Sequence, residues 1–271
     1  MNTTLFLSHN SGFFSDCTVC LRTIIPYFNK QKNTPFDVDF SSVFQQYKPI
    51  NSSADISKMF FSQKKHNIEY TSDLKLTDSD DEDQFSNYKL FNFKEINPFI
   101  EKYFSASAEV DSIILKMEEK YSIDYKNTIA VFYRGNDKCT ETNIGSYDIF
   151  LDKILSISSD NSDKKIIIQT DDQTFLDYCK QKIDNNKIIV FDEVPRMNSN
   201  PHVVMHKLIE PNARALFATY FLAITKMISK SDILITHSGN CGMWAVLFRG
   251  NCNNVHQYLN SIYKSQSDGW L

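Results

Sequence analysis

Four short apolar runs, IAVFY, KIIIQ, KIIVF and ILIT, recur between residues 129 and 236, and helical patterns separate them. None of the four alternates apolar with polar residues, so each reads as a strand covered on both faces. The helical patterns cover Tyr147–Ile157, Phe175–Ile183, Ala213–Ile228 and Met243–Phe248. Strands joined by helices cross over and run parallel. This rhythm predicts an α/β chain with a parallel, doubly wound sheet in its second half.

The first half reads less regularly. Thr4–Ser8 is a short apolar run followed by His-Asn-Ser-Gly, and a helical pattern then runs from Asp16 through Phe28. Strand, glycine turn and helix open an α/β unit. Phe36–Phe40 alternates apolar and acidic residues, as a strand with one wet face does. Residues 51–87 are polar and carry no clear period. Pro98–Tyr121 is strongly helical but interrupted at Ser105 and Ser107, and Ser107 before Ala108-Glu109-Val110 has the form of a helix N-cap. A domain junction is expected there, giving an N-terminal α/β domain (1–105) and a C-terminal Rossmann-like domain (106–271).

The ends of the strands carry the functional signal. In a parallel sheet all strands end on one edge, where ligands bind. Three of the four runs end in polar clusters: Arg134-Gly135-Asn136-Asp137-Lys138, Thr170-Asp171-Asp172 and His237-Ser238-Gly239-Asn240. Arg134 offers a planar fork for a phosphate, Gly135 permits close backbone approach, and Lys138 adds a mobile charge. Ser238, Gly239 and Asn240 stand where a helix begins, with free N–H groups and the positive end of the helix dipole. Ionised Asp171 and Asp172 are acceptors, suited to ribose hydroxyls or a base's donor edge, and they equally suit a helix cap. Together the clusters describe a nucleotide diphosphate site. His237 beside Ser238 is a further pocket candidate. His202 and His206 could reach the phosphates or the acceptor.

Net charge is −4, which leaves no global basic field for nucleic acid. Cys17 and Cys20 form the one close cysteine pair, and no second pair completes a zinc site. Buried thiols in a reducing compartment are the simpler reading. Asp78-Ser-Asp-Asp-Glu-Asp83 contains D-x-D but reads as a solvated acidic loop, so no metal site is expected. No signal peptide or membrane span is legible, and a cytoplasmic protein is expected (luminal if the chain is a truncated form). No strand is followed by G-x-G-x-x-G, which counts against a dehydrogenase.

These motifs resemble those of the fucosyltransferase-like glycosyltransferases of GT-B fold: the α1,6-fucosyltransferases, the nodulation fucosyltransferase and the protein O-fucosyltransferases. Phe132–Lys138 is similar to their H-x-R-x-G-D-K strand end, IIIQTDD to v-x-x-A-T-D-D, and SKSDILITHSGNCGMWAVLFRG to S-x-x-D-x-l-v-g-x-x-S-S-x-x-x-x-l-A-x-x-l-r-G. KYFSASAEVDSIILKMEEKY resembles their linker helix, and HNSGFFSDC, with Gly12, echoes their first glycine turn. The likeness covers residues 98–250 best. It implies two Rossmann-like domains with parallel sheets facing a cleft. It also implies inverting, metal-independent transfer of a sugar, most typically fucose from GDP-fucose, to a hydroxyl of a glycan or protein. Arg134 then contacts the diphosphate, Asp171 or Asp172 the base, and Ser238, Gly239 and Asn240 the phosphate. Phe132 replaces the motif histidine, Asn136 the glycine, and Gly239 the second serine. Other UDP- or GDP-sugars, or a nucleotide-binding module without turnover, stay open. As base, Asp16 ranks first and His9 second. Arg134→Ala is expected to abolish donor binding and leave the fold intact.

Overall fold

The computed structural model describes residues 3–32, 36–65, 68–69, 72–77, 83–260 and 268–271. The chain begins with β1 (Thr3–His9), α1 (Phe13–Gln31) and β2 (Phe36–Val43), a βαβ unit whose two strands pair in parallel. Phe13, Cys17, Cys20, Leu21, Ile24 and Phe28 recur at helical spacing along α1 and are all buried. The acidic-alternating run forms β2, with Phe36, Val38 and Phe40 inward and Asp37 exposed. A short α2 (Ser57–Phe60) leads to α3 (Phe93–Tyr103) and α4 (Ala108–Lys120). The break between α3 and α4 falls at the two serines, and Ser107 caps α4 by accepting the Val110 N–H.

The second half runs β3 (Thr128–Tyr133), α5 (Tyr147–Ser159), β4 (Lys165–Thr170), α6 (Gln173–Lys180) and β5 (Ile188–Ile189). It continues through α7 (Met205–Leu208), α8 (Arg214–Ser229), β6 (Ile233–His237), α9 (Asn240–Arg249), β7 (Val255–Leu259) and β8 (Gly269–Trp270). These strands make a six-stranded sheet in the order β5-β4-β3-β6-β7-β8, parallel except for β8. β3 lies inside it, and all six of its residues are buried. Ile129, Val131 and Tyr133 face α5 and α6, while Ala130 and Phe132 face α8, α9 and the N-terminal half.

Four elements differ from the sequence reading. β5 pairs over two residues only, because the chain turns away and the Phe191 carbonyl accepts the Arg196 Nη2 at 2.5 Å. α9 starts three residues before Met243, taking in Gly242, a residue that weakens helices in isolation. β7 and β8 extend the sheet beyond the last run read as a strand. One hydrophobic cluster runs from Leu7 to Val255, so the core is continuous across residue 105. Phe14 stacks on Trp244 of α9, and the Trp244 Nε1–H donates to Thr18 of α1. No helix among the described residues is long and apolar enough to cross a membrane.

Candidate functional site

The register Phe132↔Gln169 and Phe132↔Thr236 brings the C-terminal ends of β3, β4 and β6 to one edge. A cavity of about 400 Å³ opens there between the two halves. Gly12, Arg134, Lys138, Asp171, His237, Gly239 and Asn240, all candidates from sequence, line it.

The start of α9 has a glycine at its N-cap. Gly239 has φ +141°, a backbone conformation that L side chains rarely adopt. Its N–H is already held by the Gln84 carbonyl (2.7 Å) and the Tyr88 hydroxyl (3.0 Å). No side chain caps the helix, so the first N–H groups of α9 and its positive dipole end stay available beside the cavity. Gly242 seats α9 on β6: a Cβ there would lie 2.4 Å from the His237 carbonyl oxygen and 2.6 Å from Thr236 Oγ1.

Arg134 and Lys138 supply the side-chain charge. Arg134 donates from Nε to Asp171 Oδ2 (2.8 Å), from Nη2 to Asp137 Oδ1 (2.9 Å) and from Nη1 to Cys241 Sγ (3.2 Å). Asp171 also takes the Gly135 N–H (2.9 Å) and, on its carbonyl, the Asn136 amide (2.8 Å). It therefore orients the arginine fork. Burial pushes the Asp137 carboxyl up, and Arg134 pulls it back. Lys138 donates to Glu141 (2.6 Å) and Gln84 (3.3 Å) and lies over the Phe85 ring. Gly135 is required by crowding, since a Cβ would meet Asp172 Oδ2 at 2.6 Å.

His237 joins two strand ends. Its Nε2 accepts the Arg134 N–H at 2.9 Å, so the other ring nitrogen carries the proton and donates to the Ser238 carbonyl at 2.7 Å. Burial lowers its pKa to about 4, and burial does the same to His206, which lies against Tyr47. Both depressions act in one direction. Between pH 6.5 and 4 the unfolded chain binds protons that the folded chain refuses, so stability falls with acidification. At pH 4 each histidine withdraws about 3 kcal/mol relative to pH 7. Thermal melts across this window should show a steep acid limb, less steep in His206→Asn.

Four candidates lie off the cavity wall. Asp172 is 1% exposed and caps α6, accepting the Thr174 and Phe175 N–H groups, while Tyr147 donates to its other oxygen. Ser238 is fully buried, and its hydroxyl accepts from Gln257 at 2.8 Å. Asp16 is fully buried: its Oδ1 takes the Ser11 N–H (2.7 Å), the Ser11 hydroxyl (2.9 Å) and His9 Nδ1 (2.8 Å). Burial raises its pKa, and the His9 and Ser11 bonds pull it down. His9 keeps 34% of its side chain exposed. Asn240, on the wall, accepts from Thr18 at 2.7 Å and so ties α9 to α1.

The sequence reading passed over several residues. Gln84 comes from the stretch without a period and Tyr88 directly follows it, yet both anchor the α9 turn. Gln169, Cys241, Val194, Pro195, Phe217 and Phe221 also line the cavity. Gln169 had a signal, a lone amide in an apolar strand. His202 does not line the cavity, whereas His206 does. Of the acidic block, residues 78–82 lie outside the described residues, and Asp83 pairs with Arg22 at 3.3 Å. Among the described residues no group of three or more His, Cys, Asp or Glu could hold a metal ion.

No family model matches the chain, and no curated protein does. Solved structures match along its whole length. The crystal structure of fucosyltransferase NodZ from Bradyrhizobium has TM-score 0.54 at 10% identity, covering 99% of each chain. NodZ alpha-1,6-fucosyltransferase soaked with GDP-fucose has TM-score 0.54 at 11% identity, covering 100% of this chain and 99% of that one. The chain has a fucosyltransferase-like GT-B fold. Within it, Phe132 sits in the core, edge-to-face with Phe221.

Proposed function

We propose that the chain is a glycosyltransferase that moves a sugar, fucose from GDP-fucose in the leading reading, onto a hydroxyl of a glycan or protein. The carrying observation is the convergence of Arg134, Lys138 and the uncapped start of α9 on one cavity. The fold neighbours, NodZ structures with GDP or GDP-fucose, support the same donor.

As the sugar leaves, negative charge grows on the diphosphate. Arg134, Lys138 and the α9 terminus are fixed where they stabilise it without reorganisation. Two side-chain cations and a helix end meet this charge, so the transfer is read as metal-independent. The acceptor hydroxyl must lose its proton. Asp16 is too buried to touch an acceptor, so it serves as the positioning group and His9 as the base. Asp16 accepts from His9 Nδ1–H, which leaves the Nε2 lone pair for the acceptor. Attack from the face opposite the diphosphate inverts the sugar carbon.

A transfer assay with GDP-fucose tests this reading. His9→Ala should lower kcat by about 10²–10⁴-fold with donor affinity unchanged. Asp16→Asn should fall between this variant and the wild type. If GDP binds tightly and no nucleotide sugar turns over, the chain is a nucleotide-binding module instead. A thermal-shift screen of GDP, UDP and their sugars separates the donors.

A further inference from the structure

Gln169 is 3% exposed, lines the cavity, and its Oε1 has no hydrogen-bond partner among the described residues. His206, 9% exposed and lining the same cavity beside Tyr47, has an unpartnered Nε2. A buried polar atom without a partner is costly, and a ligand that supplies the partner recovers that cost. These two atoms therefore point to a neutral, hydrogen-bonding group of the ligand.

Their place on the sheet says which group. Gln169 is the register partner of Phe132, which in turn pairs with Thr236. Two strand spacings put Gln169 about 10 Å from the β6 end where α9 begins. Arg134, at the end of β3, lies between, and Asp171 follows Gln169 by two residues at the end of the same strand. Along the edge the order is then diphosphate at α9 and Arg134, and the nucleoside at the β4 end, where Asp171 and Gln169 stand together. Phe221, edge-to-face with Phe132, and its stacking partner Phe217 make an apolar wall beside that strand, and Val194 and Pro195 add to the lining. A sugar needs a polar partner for nearly every hydroxyl, and these walls offer few. A flat ring with a donor–acceptor edge fits them. Gln169 also stands where the resembled motif has alanine, and its register partner Phe132 stands where that motif has histidine.

We infer that Gln169, with His206, reads the hydrogen-bonding edge of the donor's nucleobase and sets its base specificity. The inference rests on the nucleotide-diphosphate reading above.

Calorimetric titration of wild type, Gln169→Leu and Arg134→Lys with pyrophosphate, GDP and GDP-fucose tests it. Leucine keeps the volume and removes an unpaired polar group, so the variant should fold, and its melting temperature checks this. Gln169→Leu should weaken GDP about ten- to hundredfold and leave pyrophosphate unchanged. Arg134→Lys should weaken both. Unchanged GDP affinity in Gln169→Leu, with or without weaker GDP-fucose, overturns the base assignment and leaves the diphosphate site standing. If the wild type binds neither pyrophosphate nor GDP, the diphosphate reading falls and this inference with it.

Discussion

Gly242→Ala should unseat α9 and abolish nucleotide binding, although residue 242 carries no side chain to lose. The added Cβ would sit 2.4 Å from the His237 carbonyl and 2.6 Å from Thr236 Oγ1, and one of those neighbours is backbone. The helix must then back away from β6. Overpacking of this kind costs about 3 kcal/mol, which lowers the melting temperature by roughly 5–10 °C in a chain of this size. The anion site suffers more, because its N–H groups move with the helix. Gly12→Ala is the matched control: Gly12 also lines the cavity, but nothing lies within 4 Å of its Cβ position. That variant should melt within about 0.5 kcal/mol of the wild type. Calorimetric melts and GDP titrations of both variants check the pair.

Arg134→Ala should remove GDP binding and, contrary to the expectation from sequence, should also destabilise the fold. A strand-end arginine appears dispensable to the core until its partners are seen. Asp171 and Asp137 both accept from the same guanidinium, and their side chains are only 10% and 20% exposed. Without Arg134 two neighbouring carboxylates lose their counter-charge, a loss worth about 3 kcal/mol. Arg134→Lys keeps the charge but not the fork, so it should retain most of the stability and still lose at least tenfold in affinity. A circular-dichroism melt beside each titration separates the two effects.

The elements that alternate in sequence could be read because each buries a continuous apolar run or stripe. β3 and β4 are apolar on both faces, and Ser107 caps α4 as its spacing indicates. Arg134 and Lys138 could be read because charge at a buried strand end needs a reason. What could not be read depended on distant partners. Asp171 and Asp172 are adjacent and chemically identical, yet one turns to Arg134 and the other caps α6. Only the tertiary contacts separate them. Gly242 lay outside the Met243–Phe248 pattern, and its place in α9 follows from the close packing against β6. The 255–259 strand was hidden by its His and Gln, whose roles are set by neighbours: Gln257 donates to Ser238 and Ser86. His9 ranked behind Asp16 because burial, which leaves His9 partly exposed and Asp16 enclosed, is not a local property.

The most direct test of the central claim is calorimetric titration of the wild-type chain with GDP and with guanosine at two salt concentrations. If Arg134, Lys138 and the α9 terminus form a diphosphate site, GDP binds at least a hundredfold more tightly than guanosine, and added salt weakens GDP alone. Equal affinity for the two, or no binding of GDP, would contradict the account.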